Sequence, residues 1–240
     1  MDLSVDMRES RSDLIVDIVE SWRSRYRDQI RLMIFTKGVI HAAGLEKVED
    51  LAIVIPRPLE VDMRHLATFH DSEGVLLSSY AELCDNKLMS EPVEMWIDAI
   101  RAALPSTSLY AMGDHGSRLT KDFGVEIIAD VEDPVAGGLV KARLMISPLR
   151  HHPFEAIPME AAAVGIPVVY RKAEQSLSGY LGTGGVEISS PGDLGEILPL
   201  LYDDPSVWRA RGIAGMQRAR SVDYRATRGE LYAVLSQLVR

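Results

Sequence analysis

The sequence is poor in cysteine and has no long uninterrupted apolar segment. Cys84 is the only cysteine among 240 residues, which excludes an intrachain disulfide and a cysteine-based zinc site. No segment reaches the length of about 18 apolar residues that a transmembrane helix needs, and residues 1–13 lack the basic and apolar regions of a signal peptide. We therefore expect a cytoplasmic protein, in a reducing compartment and at most peripheral to a membrane.

Basic residues are also in short supply relative to acidic ones. Lys and Arg total 26 and Asp and Glu total 35, so the net charge is −9. A chain this acidic repels a polyphosphate backbone unless one face is locally basic, and we do not expect nucleic-acid binding. The composition, 47% hydrophobic and 25% charged, is typical of a globular protein. No repeat with a period of about 20 to 50 residues is present, which excludes solenoids and propellers.

An amphipathic helix is predicted near the start, from about Leu14 to Ile30. Its apolar residues at helical spacing are Ile15, Ile18, Val19, Trp22, Tyr26 and Ile30. We expect the Trp22 and Tyr26 side to pack against the sheet or a neighbouring element rather than to bind a ligand. A small helix is predicted at about 37–43 and a strand-like segment at 51–55.

The segment PRPLEVD at 56–62 is a predicted domain boundary. Two prolines within three residues cannot continue a strand, and such a segment is typical of a semi-rigid connector. The predicted domains are residues 1–60, part of an N-terminal domain that carries the amphipathic helix, and residues 61–240.

Six short apolar segments alternate with helical ones after this boundary. The predicted strands are Val75–Leu77, Leu109–Met112, Glu126–Ile128, Leu144–Ile146, Pro167–Val169 and Val186–Ile188. Strands this short, nearly all apolar and joined by helices are typical of a parallel sheet covered on both faces. The predicted fold is therefore α/β, a doubly wound, Rossmann-like parallel sheet with a short N-terminal appendage. Two closing helices are predicted at about 206–219 and 224–239.

The segment after the fourth predicted strand contains a predicted anion site. Pro153 and Pro158 flank a helix start near Glu155, and Gly165 ends that helix. Ligands of an open parallel sheet bind outside the carboxyl ends of its strands. A helix N-terminus there offers free N–H groups and about half a positive charge, which suits a diphosphate.

The candidate ligands of that site are backbone amides and one carboxylate. The amides near Glu155, Ala156 and Ile157 would bind the diphosphate, and Glu160 would accept hydrogen bonds from a vicinal diol such as a ribose. Glu160 could equally be an acidic residue favoured near any helix start. Adjacent histidines at 151 and 152 have no carboxylate pattern beside them, so we predict no metal site.

The whole segment resembles the donor-binding motif of GT-B glycosyltransferases of the family 4 type. In that motif an acidic residue, seven intervening residues and a second glutamate lead into EA-small-small-G-x-PVV, as in HPFEAIPMEAAAVGIPVV here. Further segments similar to parts of those enzymes follow in the same order along the chain: VIPRPLEVD at 54–62, YAMGDHG at 110–116, GVEIIADV at 124–131 and DLGEILPLLYDDPSVWRARG at 193–212. The resemblance covers residues 30–240 and implies the C-terminal, nucleotide-sugar-binding domain of such an enzyme.

The resemblance implies a retaining transfer of a sugar from a nucleotide-sugar donor, such as a UDP- or GDP-sugar, to an unknown acceptor. It implies no metal or other cofactor. Gly113 lies in the glycine turn and Val131 in the segment whose backbone reads the base, and Lys87 is a candidate phosphate ligand, although it could be a solvated surface lysine. The acceptor site of such an enzyme is mainly N-terminal, so it would come from a partner chain, from an oligomer or from residues outside this sequence.

Two positions depart from the family pattern at the sugar end. His152 stands where the family has its first glutamate, and Glu155 stands where a glycine is usual. We name both as candidate catalytic residues. His152 could replace the glutamate, act as a general base or be a loop histidine, and Glu155 could weaken diphosphate binding or contact a sugar hydroxyl.

These departures leave two functions open. The first is an active hexosyltransferase-type glycosyltransferase, and the second is a non-catalytic binding or scaffold subunit that has lost turnover. A nucleotide-sugar epimerase on the same architecture ranks last, because the sequence offers no acid and base pair for it.

Overall fold

The computed structural model describes residues 5–26, 32–34, 45–54, 72–77, 91–112, 118–128, 139–149, 156–172, 177–221, 228–229, 231–233 and 235–236. The chain divides into two compact units. One contains residues 1–58 and 222–240, and the other contains residues 59–221. The break at 58 falls within the predicted proline-rich boundary. The sequence-based domains differ from this division in assigning residues 222–240 to the sheet domain.

The first unit contains a long helix and a pair of short strands. Helix α1, Val5–Tyr26, begins earlier than predicted. Strand β1, Leu32–Ile34, pairs in parallel with β2, Ala52–Val54, which a 3₁₀ helix at Glu46–Leu51 precedes. Residues 228–229, 231–233 and 235–236 are helical, within the predicted last helix. The small helix predicted at 37–43 lies outside the described residues.

The buried face of α1 differs from the predicted one. Val16 and Val19 are buried, in a small core with Leu45, Val48 and Leu51. Arg23, on the same side of the helix, fixes this rotation, because its two Nη atoms donate to the Asp50 carboxylate at 3.3 and 2.7 Å. The expected packing of Trp22 and Tyr26 is therefore wrong: these side chains are 53% and 46% exposed.

The second unit is built on a six-stranded parallel sheet. Its strands are β3 (Gly74–Leu77), β4 (Leu109–Met112), β5 (Glu126–Ile128), β6 (Ala142–Ser147), β7 (Val168–Arg171) and β8 (Gly185–Ile188). They lie in the order β5-β4-β3-β6-β7-β8, and every neighbouring pair is parallel. All six predicted strands are confirmed.

Helices cover this sheet. The helices of the unit are α2 (Val93–Ala103), α3 (Arg118–Phe123), α4 (Ala156–Ala163), α5 (Ser178–Leu181), α6 (Leu194–Asp203) and α7 (Pro205–Ser221). Short 3₁₀ turns precede β6, β8 and α6. The predicted α/β class is confirmed.

The core of the second unit lies on both faces of the sheet. Successive residues of β3, Val75 to Leu77, point to opposite faces and are all fully buried. Helix α2 packs against α6 and contributes Trp96, Ile97 and Ile100, which are also fully buried. A strand apolar at every position requires cover on both sides, and this is why the chain alternates strands with helices.

Candidate functional site

The strand order reverses between β3 and β6. From β3 the chain adds β4 and then β5 on one side, and from β6 it adds β7 and β8 on the other. The two central strands are paired in register, with Leu77 opposite Ile146. At such a switch point the two following loops diverge to opposite faces of the sheet, which leaves a crevice at the carboxyl edge where ligands bind.

The predicted site residues all follow carboxyl ends of strands along the chain. Gly113 comes directly after β4, and Val131 follows β5 by three residues. Lys87 follows β3, and His152 and Glu155 stand between β6 and α4. These five residues lie outside the described residues, and their assignment stays a prediction. Ala156, Ile157 and Glu160 lie within α4 and can be placed.

Helix α4 begins at the residue after the predicted start and ends as predicted. Gly165 has φ of 91° and donates its N–H to the Ala162 carbonyl at 3.0 Å. The Ile166 N–H reaches the Ala161 carbonyl at 2.9 Å. This pair of bonds is the Schellman motif, and it requires the left-handed conformation that glycine adopts without steric cost.

The first turn of α4 consists of Ala156, Ile157 and Pro158. N–H groups in a first turn have no acceptor within the helix, and a proline has no N–H at all. Ala156 and Ile157 therefore provide two backbone N–H donors at this end of the helix. None of the three residues of this turn is acidic, and Glu155, which precedes them in the sequence, lies outside the described residues.

Glu160 lies one turn further into the same helix. It is half-buried between Met159 and Ala161, which are buried. Buried residues on both sides fix the rotation of α4 about its axis, and with it the side of the helix from which the Glu160 carboxylate projects. The half-buried setting is consistent with the predicted role of Glu160 as an acceptor for a diol.

Helix α7 holds α4 by close backbone contact. A Cβ atom at Gly212 would overlap the carbonyl oxygen of Gly165, and one at Gly215 would lie 3.2 Å from the Ala162 Cβ. The absence of side chains at 212 and 215 allows α7 to approach the C-terminal half of α4. The sequence analysis did not predict this role, because a helical glycine gives no signal of what it packs against.

An ion pair ties β7 to the start of α2. The Arg171 Nη2 atom donates to Glu91 Oε1 at 2.9 Å and Nε donates to Oε2 at 3.2 Å, and both side chains are less than one-fifth exposed. Arg171 is the last residue of β7, and Glu91 directly precedes Pro92 and α2. The pair thus links the start of α2 to the carboxyl end of β7. Sequence reasoning missed both residues; the available signals were an arginine ending PVVYR and a glutamate beside a helix-start proline.

The glycine-rich segment GTGG at 182–185 lies at the amino end of β8, away from the carboxyl edge of the sheet. Gly182 has φ of 52°, and residues 182–184 form a 3₁₀ turn. The Arg211 Nη1 atom donates to the Thr183 carbonyl at 2.7 Å. GTGG is therefore a turn that leads into β8, at the end of the strand opposite the candidate site.

One titratable group in the described part of the chain has a clearly displaced pKa, and it serves a helix cap. Asp204 Oδ1 accepts hydrogen bonds from Ser206 Oγ at 2.6 Å, Ser206 N at 2.8 Å and Val207 N at 3.2 Å. These bonds, the Ser206 hydroxyl foremost, lower the pKa of Asp204. Asp204 is therefore the N-cap of α7, with Pro205 in the first helical position.

The described residues contain no group of three or more His, Cys, Asp or Glu side chains arranged to hold a metal ion. In the same ranges no helix is both long and apolar enough to cross a membrane.

Comparison with known proteins shows a likeness in structure. No protein-family model and no curated protein sequence matches the chain. Sucrose-phosphate synthase from Thermosynechococcus elongatus superposes with a TM-score of 0.65 at 15% identity, over 86% of this chain and 58% of the synthase. HepE of Anabaena, solved in complex with UDP, superposes with a TM-score of 0.70 at 15% identity, over 92% of this chain and 67% of HepE.

A glycosyltransferase from Rickettsia africae also superposes, with a TM-score of 0.66 at 8% identity, over all of this chain and 83% of that one. The chain spans little more than half the length of the synthase and two thirds of HepE. Membership of family 4 stays a prediction, since at these identities the likeness concerns the fold. The chain has the Rossmann-like α/β fold of GT-B glycosyltransferases, as its sequence predicted.

Proposed function

We propose that this chain is the nucleotide-sugar-binding part of a GT-B glycosyltransferase that transfers a sugar, with retention of configuration, to an acceptor. The observation that carries the proposal is the junction of β3 and β6, followed along the chain by a helix whose first turn offers two N–H donors. Superposition on HepE, a protein solved with UDP, supports the same assignment.

The nucleotide end of the site is assigned to α4. The amides of Ala156 and Ile157 bind the diphosphate, because the positive end of the helix dipole and two N–H groups stabilise negative charge there. Glu160 accepts hydrogen bonds from the ribose hydroxyls. Lys87 adds a positive charge from the segment after β3, and Gly113 and Val131 contribute backbone contacts to the nucleotide from the segments after β4 and β5.

The transfer breaks the bond between the sugar C1 atom and a diphosphate oxygen and forms a bond between C1 and an acceptor oxygen. The nucleoside diphosphate leaves with the bonding electron pair, and the acceptor hydroxyl gives up its proton to an oxygen of the leaving diphosphate. The protein accelerates this step by holding donor and acceptor in place and by stabilising charge on the leaving diphosphate. The amides at the start of α4 supply that stabilisation.

The sugar end of the site is assigned to His152 and Glu155. His152 occupies the place of the family's first glutamate and can donate or accept a proton near neutral pH. Glu155 contacts a sugar hydroxyl. No metal or other cofactor is required, since helix amides and Lys87 supply the positive charge.

The acceptor site comes from a partner chain, from an oligomer of this chain or from residues outside this sequence. We place the protein in the cytoplasm, at most at a membrane surface, because its single cysteine suits a reducing compartment.

Calorimetric titration of the purified chain with UDP, GDP, ADP and TDP, and with the matching sugar conjugates, tests the donor site. We expect selective binding of one nucleotide. Glu160→Ala should weaken that binding roughly 10- to 100-fold, as expected for the loss of a charged hydrogen-bond acceptor.

The control is Glu196→Ala, which removes an exposed glutamate from the first turn of α6. This variant should bind the nucleotide as the wild type does. Absence of binding to all four nucleotides at millimolar concentration, or equal loss in both variants, would refute the donor-site assignment.

The variant His152→Glu tests whether the sugar end supports turnover. If His152 is a weak substitute for the family's glutamate, the variant should gain donor hydrolysis or transfer while nucleotide affinity stays unchanged. Unchanged activity with intact nucleotide binding would instead favour a binding subunit without turnover.

A further inference from the structure

One side of α1 exposes a straight row of apolar side chains. Leu14, Ile18, Trp22 and Tyr26 follow each other at intervals of four residues and are between 40% and 57% exposed. They are four of the nine large apolar side chains exposed in the described ranges. Contiguous apolar surface of this kind usually marks an interaction site.

A row of polar side chains runs beside the apolar one. It consists of Asp17, Ser21 and Arg25, each one position before a member of the apolar row. The row is acidic towards the N-terminus, small in the middle and basic towards the C-terminus. The Arg25 guanidinium lies 5.5 Å from the centre of the Tyr26 ring, which keeps the positive charge next to the apolar row.

We propose that these two rows form a two-fold symmetric, antiparallel interface between two copies of the chain. A two-fold rotation about an axis that passes near Ser21 places Asp17 of each copy opposite Arg25 of the other copy. The same rotation places Ile18 of one copy about 3 Å along the helix axis from Trp22 of the other, on the same side of the contact. The surface is thus complementary to itself in charge, and its apolar side chains meet, as a C₂ interface requires.

The geometry of helix packing permits this contact. Rows of side chains four residues apart are the ridges that interdigitate when two helices pack at distances of about 8–10 Å between axes. The Cα atoms lie about 2.3 Å from each axis, so the two Ser21 Cα atoms would approach to about 3.4–5.4 Å. A serine at the centre is small enough for that approach.

A second copy fits this surface better than an unrelated partner. In a complex with a different protein, the order of acid, small residue and base along one row has no reason to mirror itself. Association through α1 is independent of the proposed nucleotide site and is measured without nucleotide.

Sedimentation equilibrium of the full chain over about 1–200 μM tests the proposal. We expect a concentration-dependent approach to twice the chain mass. Trp22→Ser should raise the dissociation constant roughly tenfold or more, as expected for an aromatic side chain at the centre of an interface. Leu200→Ser, which removes an equally exposed apolar side chain from α6, should leave association unchanged.

Charge reversal tests the antiparallel arrangement. Asp17→Arg and Arg25→Asp should each weaken association about tenfold, because each places like charges opposite one another twice in the dimer. The double variant, which carries both reversals, should recover wild-type association, since the pairs are restored with exchanged signs. No partner other than a second copy of the same variant would produce that recovery.

Cysteine cross-linking tests the position of the axis, in a background where Cys84 is replaced by Ser. Ser21→Cys should form an intermolecular disulfide on mild oxidation, because the expected Cα separation suits one. Ser24→Cys should not, since its two copies are about 9 Å apart along the helix axis alone.

A chain that stays monomeric up to 200 μM would overturn the proposal. A dimer that Trp22→Ser leaves intact, or one that the double charge reversal fails to restore, would overturn it as well. Circular dichroism of each variant, all of them at exposed positions of α1, should match the wild type.

Discussion

Gly212 of α7 lies directly against the carbonyl oxygen of Gly165, the glycine that ends α4. The contact joins Gly165, which ends helix α4 of the candidate site, to helix α7, which packs against α4. Neither glycine can be exchanged freely: Gly165 has a positive φ, and Gly212 has no room for a side chain.

Gly212→Ala should therefore lower the free energy of unfolding, by roughly 1–3 kcal/mol, because a methyl group would force α7 away from α4. Gly195→Ala is the control: it is helical, with open space around it, and should be neutral or stabilise the protein by about 0.5–1 kcal/mol. Urea unfolding of both variants measures the difference. Equal effects would show that the close approach of the two helices does not constrain stability.

Removing either partner of the ion pair between Glu91 and Arg171 should lower the free energy of unfolding. Glu91→Gln should destabilise the protein by roughly 1–3 kcal/mol, because it leaves a largely buried guanidinium without its charged acceptor. The double variant with Arg171→Gln should lose less stability than the sum of the losses in the two single variants.

The exposed pair Lys141 and Glu126 is the matched control, with side chains 48% and 58% exposed. Its coupling energy should be about 0–1 kcal/mol. A coupling between Glu91 and Arg171 no larger than this would contradict the role of the pair in linking α2 to β7.

Asp204 predicts a dependence of stability on pH. Its pKa in the folded chain is lowered by hydrogen bonds from Ser206 and Val207, so the unfolded chain takes up the proton at higher pH than the folded one. The stabilisation is therefore present above the ordinary carboxyl pKa and is lost as pH falls through it towards the folded value.

Asp204→Ala should be less stable than the wild type at pH 7, and the difference should shrink by pH 3. Thermal unfolding at the two pH values measures it, with Asp203→Ala, an exposed neighbour outside the cap, as the control. A difference that stays constant between pH 7 and pH 3 would rule out the charged cap as its source.

A substitution at the start of α4 tests the amide donors separately from Glu160. Ala156→Pro removes one N–H at the first helical position, where proline is well tolerated. If that amide binds the diphosphate, affinity for the selected nucleotide should fall roughly 3- to 10-fold, as expected for one hydrogen bond.

Ala156→Gly keeps the N–H and serves as the control, with circular dichroism to confirm that both variants retain the fold. If Ala156→Pro binds the nucleotide as tightly as Ala156→Gly, the amide of residue 156 is not a ligand.

Much of the second unit could be predicted from local patterns. All six strands and the C-terminal boundary of α4 followed from apolar segments, prolines and Gly165, because these residues restrict their own backbone. One apolar stripe at helical spacing in the sequence consists of residues that are all buried: Val93, Trp96, Ile97, Ile100 and Leu104. The site predictions on α4 depend on the same kind of local signal.

The rotation of α1 shows where such patterns fail. Apolar residues occupy two neighbouring arcs of this helix, and a 3.6-residue period does not say which arc is covered. Contact with Val48 and Leu51, together with the bond between Arg23 and Asp50, selects the arc of Val16 and Val19.

The sequence by itself determined many local elements of this protein: the six strands of the second unit, and a helix after β6 that ends at Gly165. Tertiary structure alone decided the strand order that places β3 beside β6, the pairing of Glu91 with Arg171 and the approach of Gly212 to Gly165. The physical reason is the distance along the sequence over which each kind of interaction acts. Backbone preferences and capping act over a few residues, whereas these contacts join residues 47 to 80 positions apart, whose meeting depends on how the whole sheet is assembled.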